Sequence, residues 1–324
     1  MTRAIDEQLT KYLTDAHAIE VQALTQMRAA PDLAGDPQLA EAFRVHCRET
    51  ERHEQLVRAR LEARGAAPSR VKDIAGQGTG KAFVLFARSQ PDTTGKLTAH
   101  ALSYEHLEWA AYDLLRRVAR RAGDHETEAL AVELRAEEAA MAQRLEDSID
   151  RAVAASLREQ GSEEIRALVP TYLADAHAIE SQAVGLLSRA PDIVHDAALA
   201  AIFAEHLEET HAHQATVERL LEARDAKPNA IKDAGMRLGA LNWGGFFAAQ
   251  PDTPAKLAGF AHAFEFLEVA AYGLLARVAV RADDAEVARA ADAIAGQERA
   301  AADRIAEAFD GAVDAALRDL DVTA

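Results

Sequence analysis

The sequence is poor in the residues that mark several large classes of protein. Its only cysteine, Cys47, excludes an internal disulfide and the paired CxxC motifs of zinc ribbons and rubredoxins. Aromatic residues make up 5% of the chain although 49% of it is hydrophobic, and there are only 9 prolines and 17 glycines. An aliphatic composition with few helix breakers favours helices over a β-sandwich or a β-barrel.

Positive charge is also scarce, with 36 lysines and arginines against 53 aspartates and glutamates. The net charge of −17 argues against nucleic acid or an anionic membrane surface as a partner. The N-terminal stretch MTRAIDEQLTKYL contains no apolar core of signal-peptide length, and no apolar run is long enough to span a bilayer. These absences predict a cytoplasmic protein.

One sequence is written twice along the chain. YLTDAHAIEVQ at 12–22 returns as YLADAHAIESQ at 172–182, and LEWAAY at 107–112 returns as LEVAAY at 267–272. Both pairs are offset by 160 residues, a period that indicates whole domains and not solenoid repeats. We therefore predict two domains, 1–160 and 161–324, which pack as a pseudo-dimer and leave room for further oligomerisation.

Each half is predicted to be all-α, with four long helices. In the first half they run from Ile5 to Pro31, from Asp36 to Gly65, from Asp92 to Gly123, and from Asp124 through Val153 and onward. Asp36 and Pro37 suit the N-cap and first position of the second helix. A four-helix bundle with a long crossover between helices two and three is the ferritin-like arrangement. Pro170, in place of Thr10, is expected to kink its helix or to mark its first turn.

Carboxylates interrupt the apolar face of every predicted helix. Glu20 lies four residues after Ala16 and four before Leu24, on the face that the core should occupy. The other helices repeat this placement, and helix two adds imidazole. The candidate metal ligands of the first half are Glu20, Glu49, His53, Glu105, Glu108 and Glu138. Those of the second half are Glu180, Glu209, His213, Glu265, Glu268 and Glu298.

Such a group of buried carboxylates requires positive charge, because an unpaired buried ion costs several kcal/mol or must be neutralised. No lysine or arginine occupies these faces. Several Glu with one or two His match the ligands of a dinuclear iron or manganese site. Chance is a poor account, since all six positions recur while surface positions have changed, for example Arg44 to Ala204.

The ligand set deviates from the usual pair of Glu-x-x-His motifs. Helix two offers Glu49 and His53 four residues apart, and helix four has Met141 where a second histidine would lie. Glu108 is a candidate for the missing ligand. Four further histidines are interpreted as residues that support the ligands in preference to ligands themselves. They are His17, His46, His177 and His206. Tyr112 and Tyr272 lie four residues after Glu108 and Glu268 and could donate hydrogen bonds to those carboxylates.

Several of these segments resemble the YciF/YciE-like branch of the ferritin-like superfamily. They are YLTDAHAIEVQAL, HCRETERHEQLVRARLE with HLEETHAHQATVERLLE, and YEHLEWAAYDLL with FEFLEVAAYGLL. The resemblance covers nearly all of each half and implies a four-helix bundle, a dimetal site like that of rubrerythrin, homodimerisation and a link to bacterial stress responses. It assigns the twelve candidate ligands above to that site. The missing helix-four histidine departs from related proteins that activate oxygen.

Residues and resemblance together predict an iron- or manganese-binding protein that oxidises Fe(II) with oxygen or peroxide in a protective role. At most, its enzyme activity would be ferroxidase-like. One alternative is a non-catalytic scaffold with structural or vestigial metal sites, whose functional surface is formed by the apolar segments around Phe83 and Phe86 and around Trp243 and Phe246. Another is a carboxylate-bridged oxygenase, which needs a substrate pocket beside the metals.

Overall fold

The computed structural model describes residues 2–70, 72–73, 93–194, 196–230 and 253–320. Within these ranges the chain is helical and contains no β-strand, so the all-α prediction is confirmed. The described chain divides into two compact units, and the division falls between Arg158 and Glu159. No helix in the described ranges combines the length and apolarity that crossing a bilayer requires.

The same order of helices occurs in both units. The first unit contains α1 (Thr2–Met27), α2 (Ala30–Leu33), α3 (Pro37–Ala63), α4 (Thr93–Ala122), α5 (His125–Asp147) and α6 (Ile149–Ser156). The second contains α7 (Ser162–Leu187), α8 (Ala190–Ile193), α9 (Ala197–Glu222), α10 (Thr253–Arg281), α11 (Ala285–Glu307) and α12 (Phe309–Asp319). Each helix of the second unit begins 160 residues after its counterpart, as the repeat predicts.

Four long helices form the bundle of each unit. In the first, α1 packs against α3 and α4, and α5 packs against α4 and α3. The second unit repeats these contacts with α7, α9, α10 and α11. The core is aliphatic, and Leu9, Leu13 and Met27 of the predicted α1 face are buried. The tandem helical bundles predicted from the sequence are therefore present.

Local signals in the sequence set most helix ends. Asp36 caps α3 as predicted, since its carboxylate accepts hydrogen bonds from the backbone N–H groups of Gln38 and Leu39 at 2.9 and 3.1 Å. Asp124 caps α5 in the same way through Thr127. Gly65 and Gly123 follow α3 and α4 with positive φ values of 72° and 70°, which suits residues without a Cβ atom.

Two predicted boundaries were wrong. The first helix ends at Met27, and Pro31 lies in the first turn of the short helix α2, where a proline loses no hydrogen bond. The fourth predicted helix is broken after Asp147, and α6 begins at Ile149. The second unit has the same break, since α11 ends at Glu307 and α12 begins at Phe309, and Ala308 stands there in place of Ser148. The hydroxyl of Ser148 is therefore not the cause of the break. Pro170 lies inside α7 and not in its first turn.

The predicted crossovers fall on segments that the structure does not describe. Residues 74–92, with Phe83 and Phe86, and residues 231–252, with Trp243 and Phe246, lie outside the described residues. The apolar segments of the scaffold hypothesis therefore stay a prediction.

Replacing Asp225 by glycine should stabilise the second unit by about 1 kcal/mol, because a left-handed residue with a Cβ atom is strained by about that amount. Asp225 holds φ 52° at the position that Gly65 occupies in the first unit with φ 72°. The change is measured by urea unfolding with hydrogen exchange read in α9. Gly65→Asp is the matched control and should destabilise the first unit similarly. A Cβ atom at Gly65 meets nothing within 4 Å, so the control introduces no steric clash.

Candidate metal centres

Six carboxylate and imidazole side chains lie close together in each bundle core and are almost fully buried. In the first unit they are Glu20 on α1, His46 and His53 on α3, Glu105 and Glu108 on α4, and Glu138 on α5. In the second unit they are Glu180, His206, His213, Glu265, Glu268 and Glu298. All four bundle helices of a unit thus supply at least one of them.

Helical periodicity brings these side chains onto the core face. His46 and His53 are seven residues apart, which is about two turns, so both point to the same side of α3. Glu105 and Glu108 are one turn apart on α4. The aliphatic residues before and after them, such as Leu102 and Leu115, are themselves buried and hold that face of α4 against the core.

Glu138 joins two groups of potential metal ligands. His46, Glu105, Glu108 and Glu138 bring one ligand atom each within 4.8 Å of one another, and so do Glu20, His53 and Glu138. The Oε1 atom of Glu138 lies 2.7 Å from Nδ1 of His53, whereas its Oε2 atom lies 3.8 Å from Nε2 of His46. The two oxygens of one carboxylate therefore face two different imidazoles, as a carboxylate that bridges two ions would.

The second unit has the same arrangement around Glu298. Its Oε1 atom lies 2.6 Å from Nδ1 of His213 and its Oε2 atom 3.6 Å from Nε2 of His206. The remaining members of its two groups are Glu180, Glu265 and Glu268. The two copies keep both the residue types and the geometry of the group.

Glu49 and His46 lie in positions opposite to those expected from the sequence. His46 is a member of the buried group, and its Nε2 atom lies 3.0 Å from Oε2 of Glu105. Glu49 lies on the other side of that ring, with Oε2 at 3.2 Å from Nδ1 of His46, and it also accepts a hydrogen bond from Arg144. The clusters found in the described residues do not include Glu49. His206 and Glu209 repeat the pair at 3.0 Å.

Other predicted supporting residues contact different partners from those expected. The Tyr112 hydroxyl donates to Oε1 of Glu20 on α1, and Tyr272 donates to Glu180 at 2.5 Å. The expectation that these tyrosines bond Glu108 and Glu268 was wrong, because each ring reaches across to the neighbouring helix. The nitrogens of His17 face Glu54 at 2.8 Å and Asp73 at 3.1 Å.

Sequence reasoning missed the partner of His53. Its Nε2 atom lies 2.7 Å from Oε2 of Glu137, while Nε2 of His213 lies 2.7 Å from Oε1 of Gln297. Glu137 and Gln297 precede the two central carboxylates and occupy equivalent positions of the repeat. Adjacency to a buried carboxylate is the only signal that the sequence offers for this contact. That signal is weak, because residues beside a buried one are usually solvent-facing.

Burial shapes the electrostatics of the group. Desolvation, followed by the negative charges of Glu138, Glu20 and Glu105, raises the pKa of Glu108 well above its usual range. Burial alone would lower the pKa of His53, but hydrogen bonds to Glu138 and Glu20 and their charges raise it to about 11. The bundle core therefore favours added positive charge.

The donor set fits a pair of metal ions. Each unit offers four carboxylates and two imidazoles, a set typical of dinuclear iron and manganese sites. Neither carboxylate oxygen of Glu108 accepts a hydrogen bond from any described group, although both are buried. No lysine or arginine is among the buried polar residues of the described chain. A bound cation would give the Glu108 oxygens a partner and would supply the positive charge that no buried lysine or arginine supplies.

Comparison with known protein families finds a match over most of the chain. The family model, described as a domain of unknown function (DUF892), matches residues 4–158 and again residues 167–318. The two matches correspond to the two halves of the repeat. No solved structure matches the chain.

Proposed function

The chain belongs to the DUF892 family and carries its domain twice, and we propose that each copy binds a pair of iron or manganese ions in a ferritin-like bundle. The observation that carries the proposal is the orientation of Glu138, whose two oxygens face His53 and His46 separately. Glu298 has the same orientation in the second unit. A carboxylate that bridges two ions in a helical bundle is placed between its two binding positions in this way.

The proposed ligands divide between two positions. Glu20 and His53 hold one ion, His46, Glu105 and Glu108 hold the other, and Glu138 bridges them. The counterparts in the second unit are Glu180, His213, His206, Glu265, Glu268 and Glu298. Glu49 and Glu209, predicted from the sequence as ligands, are assigned instead to orienting His46 and His206.

The residues around the proposed ligands set which of their atoms face the core. Glu49 accepts a hydrogen bond from Nδ1 of His46, which keeps Nε2 directed into the core, where it would bind an ion as part of a neutral imidazole. The Tyr112 hydroxyl donates a hydrogen bond to one oxygen of Glu20. The other oxygen is buried, accepts no hydrogen bond from a described group, and is the one proposed to bind an ion. The aliphatic core around them excludes water.

When bound, a pair of Fe(II) ions would supply the electrons that reduce oxygen or peroxide. We therefore rank metal binding first and Fe(II) oxidation second, in a role that protects the cell from oxidants, as the YciF-like resemblance implies. The protein residues bind and orient the ions and keep the core dry. Oxygen and peroxide are the proposed co-substrates.

Metal loading tests the proposal. Apo-protein is incubated with Fe(II) without oxygen, freed of unbound metal and analysed for iron per chain, and Mn(II) is tested in parallel. We expect about four ions per chain, two for each bundle. Oxygen uptake after mixing with air then separates oxidation from binding alone. Less than one ion per chain with either metal would overturn the metal-binding function.

A further inference from the structure

The two proposed centres share all six inner residue types but differ in what surrounds them. One of the two histidines has the same environment in both units. Nδ1 of His46 faces Glu49, which Arg144 also contacts, and Nδ1 of His206 faces Glu209, which Arg304 also contacts. The surroundings of His46 and His206 therefore give no reason for the two centres to differ in ligand strength.

The other histidine has a charged partner in one unit and a neutral partner in the other. His53 directs Nε2 to the carboxylate of Glu137, and His213 directs Nε2 to the amide oxygen of Gln297, both at 2.7 Å. In both rings Nδ1 faces the inner group, where Glu138 or Glu298 lies. The Nε2 proton is donated outward in each case, so both histidines offer the same nitrogen to a metal.

The wider surroundings do not cancel this difference. Arg52 contacts Glu137 and also donates to Glu133 at 2.9 Å, so one cation is shared by two carboxylates. The equivalent positions of the second unit are Ala212 and Ala293, which carry no charge. The side chain of Arg52 is 43% exposed, and solvent screens it more than the direct contact between Glu137 and His53. The first centre thus keeps one more negative charge beside its ligand.

We propose that the two centres differ in affinity, with Glu137 making the first the tighter site for divalent iron or manganese and Gln297 making the second the weaker. A carboxylate that accepts the outer imidazole proton raises the basicity of the ring, and loss of such a partner typically weakens metal binding by 10–100-fold. At limiting metal the first bundle fills first, and the second exchanges its ions more readily. This inference rests on the proposed metal-binding function.

A reciprocal exchange of the two residues tests the proposal. Wild-type protein, Glu137→Gln, Gln297→Glu and the double variant are titrated with Mn(II) against a competing chelator without oxygen. Glu138 and Glu298 each bridge a proposed pair, so the two ions of one bundle should bind as a unit although only one of them is held by His53 or His213. Wild type should therefore bind in two classes, about two ions each, separated by about tenfold or more in affinity. Glu137→Gln should show a single weak class and Gln297→Glu a single tight class. The double variant should recover two classes.

Hydrogen exchange assigns the classes to the units. With about two ions added per chain, wild type should gain protection in α3 and α5, and the double variant in α9 and α11. The melting temperatures of the apo-proteins should agree, because Glu137 and Gln297 are half-exposed or exposed and the exchanges conserve their shape. A purely structural role of Glu137 would change those temperatures and would not be reversed by Gln297→Glu.

The possible failures are distinguishable. If wild type binds four ions in a single class, or if Glu137→Gln leaves two classes at their original spacing, the inequality is overturned and the metal-binding function stands. If no form binds metal, the proposed function is overturned and the inequality with it.

Discussion

Changing Glu138 to glutamine will empty the first bundle of metal and leave the second bundle loaded. The variant keeps the size of the side chain but removes the charge of the one carboxylate that faces both His46 and His53. Neither ion of the pair keeps its bridging ligand, so we expect both to be lost. Iron per chain after anaerobic loading should fall from about four to about two.

Four further variants make this result specific. Glu298→Gln should give the same halving through the second bundle, and the two changes together should abolish loading. Glu41→Gln, which alters an exposed carboxylate of α3, should leave the content unchanged. Glu49→Gln distinguishes a ligand from a residue that orients His46. If Glu49 only orients His46, the substitution should weaken affinity about 10–100-fold at the first centre without reducing the number of ions at saturation. Full loading of Glu138→Gln would contradict the bridging assignment.

Changing Asp113 to asparagine should destabilise the first unit by about 2–3 kcal/mol. The Asp113 carboxylate is buried and accepts hydrogen bonds from Arg116 at 3.0 Å, from Arg117 at 2.6 Å and from Arg135. Removing one partner of a buried ion pair typically costs about 3–5 kcal/mol. The arginines here are between 16% and 31% exposed, so solvent relieves part of that cost. Urea unfolding, followed by hydrogen exchange in α4 and α5, measures the change.

The second unit is the natural control for this variant. Gly273 stands at the position of Asp113, and Ala276 at that of Arg116, so the second unit has no equivalent cluster. Exchange in α10 and α11 should therefore be unaffected. Equal destabilisation of both units would contradict a local role for Asp113.

The effect of Asp113 should also depend on pH. Burial alone would raise its pKa, but hydrogen bonds and charges from Arg117 and Arg116 hold the pKa of this carboxyl below its usual range. Because the folded pKa is lowered, the stabilisation is complete above the unfolded value of about 3.9 and is lost as pH falls through the folded pKa. The stability difference between wild type and Asp113→Asn should be constant near neutral pH and shrink below about pH 4. A difference that persists unchanged in acid would argue for packing and not charge.

Much of the site was predictable because helical periodicity is visible in the sequence. Glu20 and Glu138 interrupt apolar faces, and their repetition 160 residues later distinguishes them from surface carboxylates. Both are fully buried in the bundle core. The spacing of the apolar residues is enough to predict this, since it identifies which side of a helix the core must cover.

The relative positions of Glu49 and His46 were not predictable in this way. Successive residues turn by about 100° around a helix, so His53 lies within about 20° of His46, whereas Glu49 lies about 60° from it. All three therefore fall on or near the face of α3 that covers the core. The structure places Glu49 at the edge of that face, where Arg144 of α5 donates a hydrogen bond to it, and places His46 inside the core.

The same limit applies to contacts between helices. Tyr112 shares its helix face with Glu108, and the sequence could not reveal that its hydroxyl reaches Glu20 on α1. Glu137 precedes a buried residue and carries no periodic signal, yet it contacts His53 on α3. Both contacts join residues that are more than eighty positions apart.

The sequence by itself determined the duplication, the helices with their caps, and the set of carboxylates that a helical core would not otherwise contain. These follow from periodicity and from the free-energy cost of burying charge, which act along a single helix. Only the tertiary structure decided that Glu138 faces two histidines, that Glu49 contacts the outer nitrogen of His46, and that His53 and His213 have different partners. Those outcomes depend on how side chains of separate helices pack against one another, and no spacing along the chain encodes that packing.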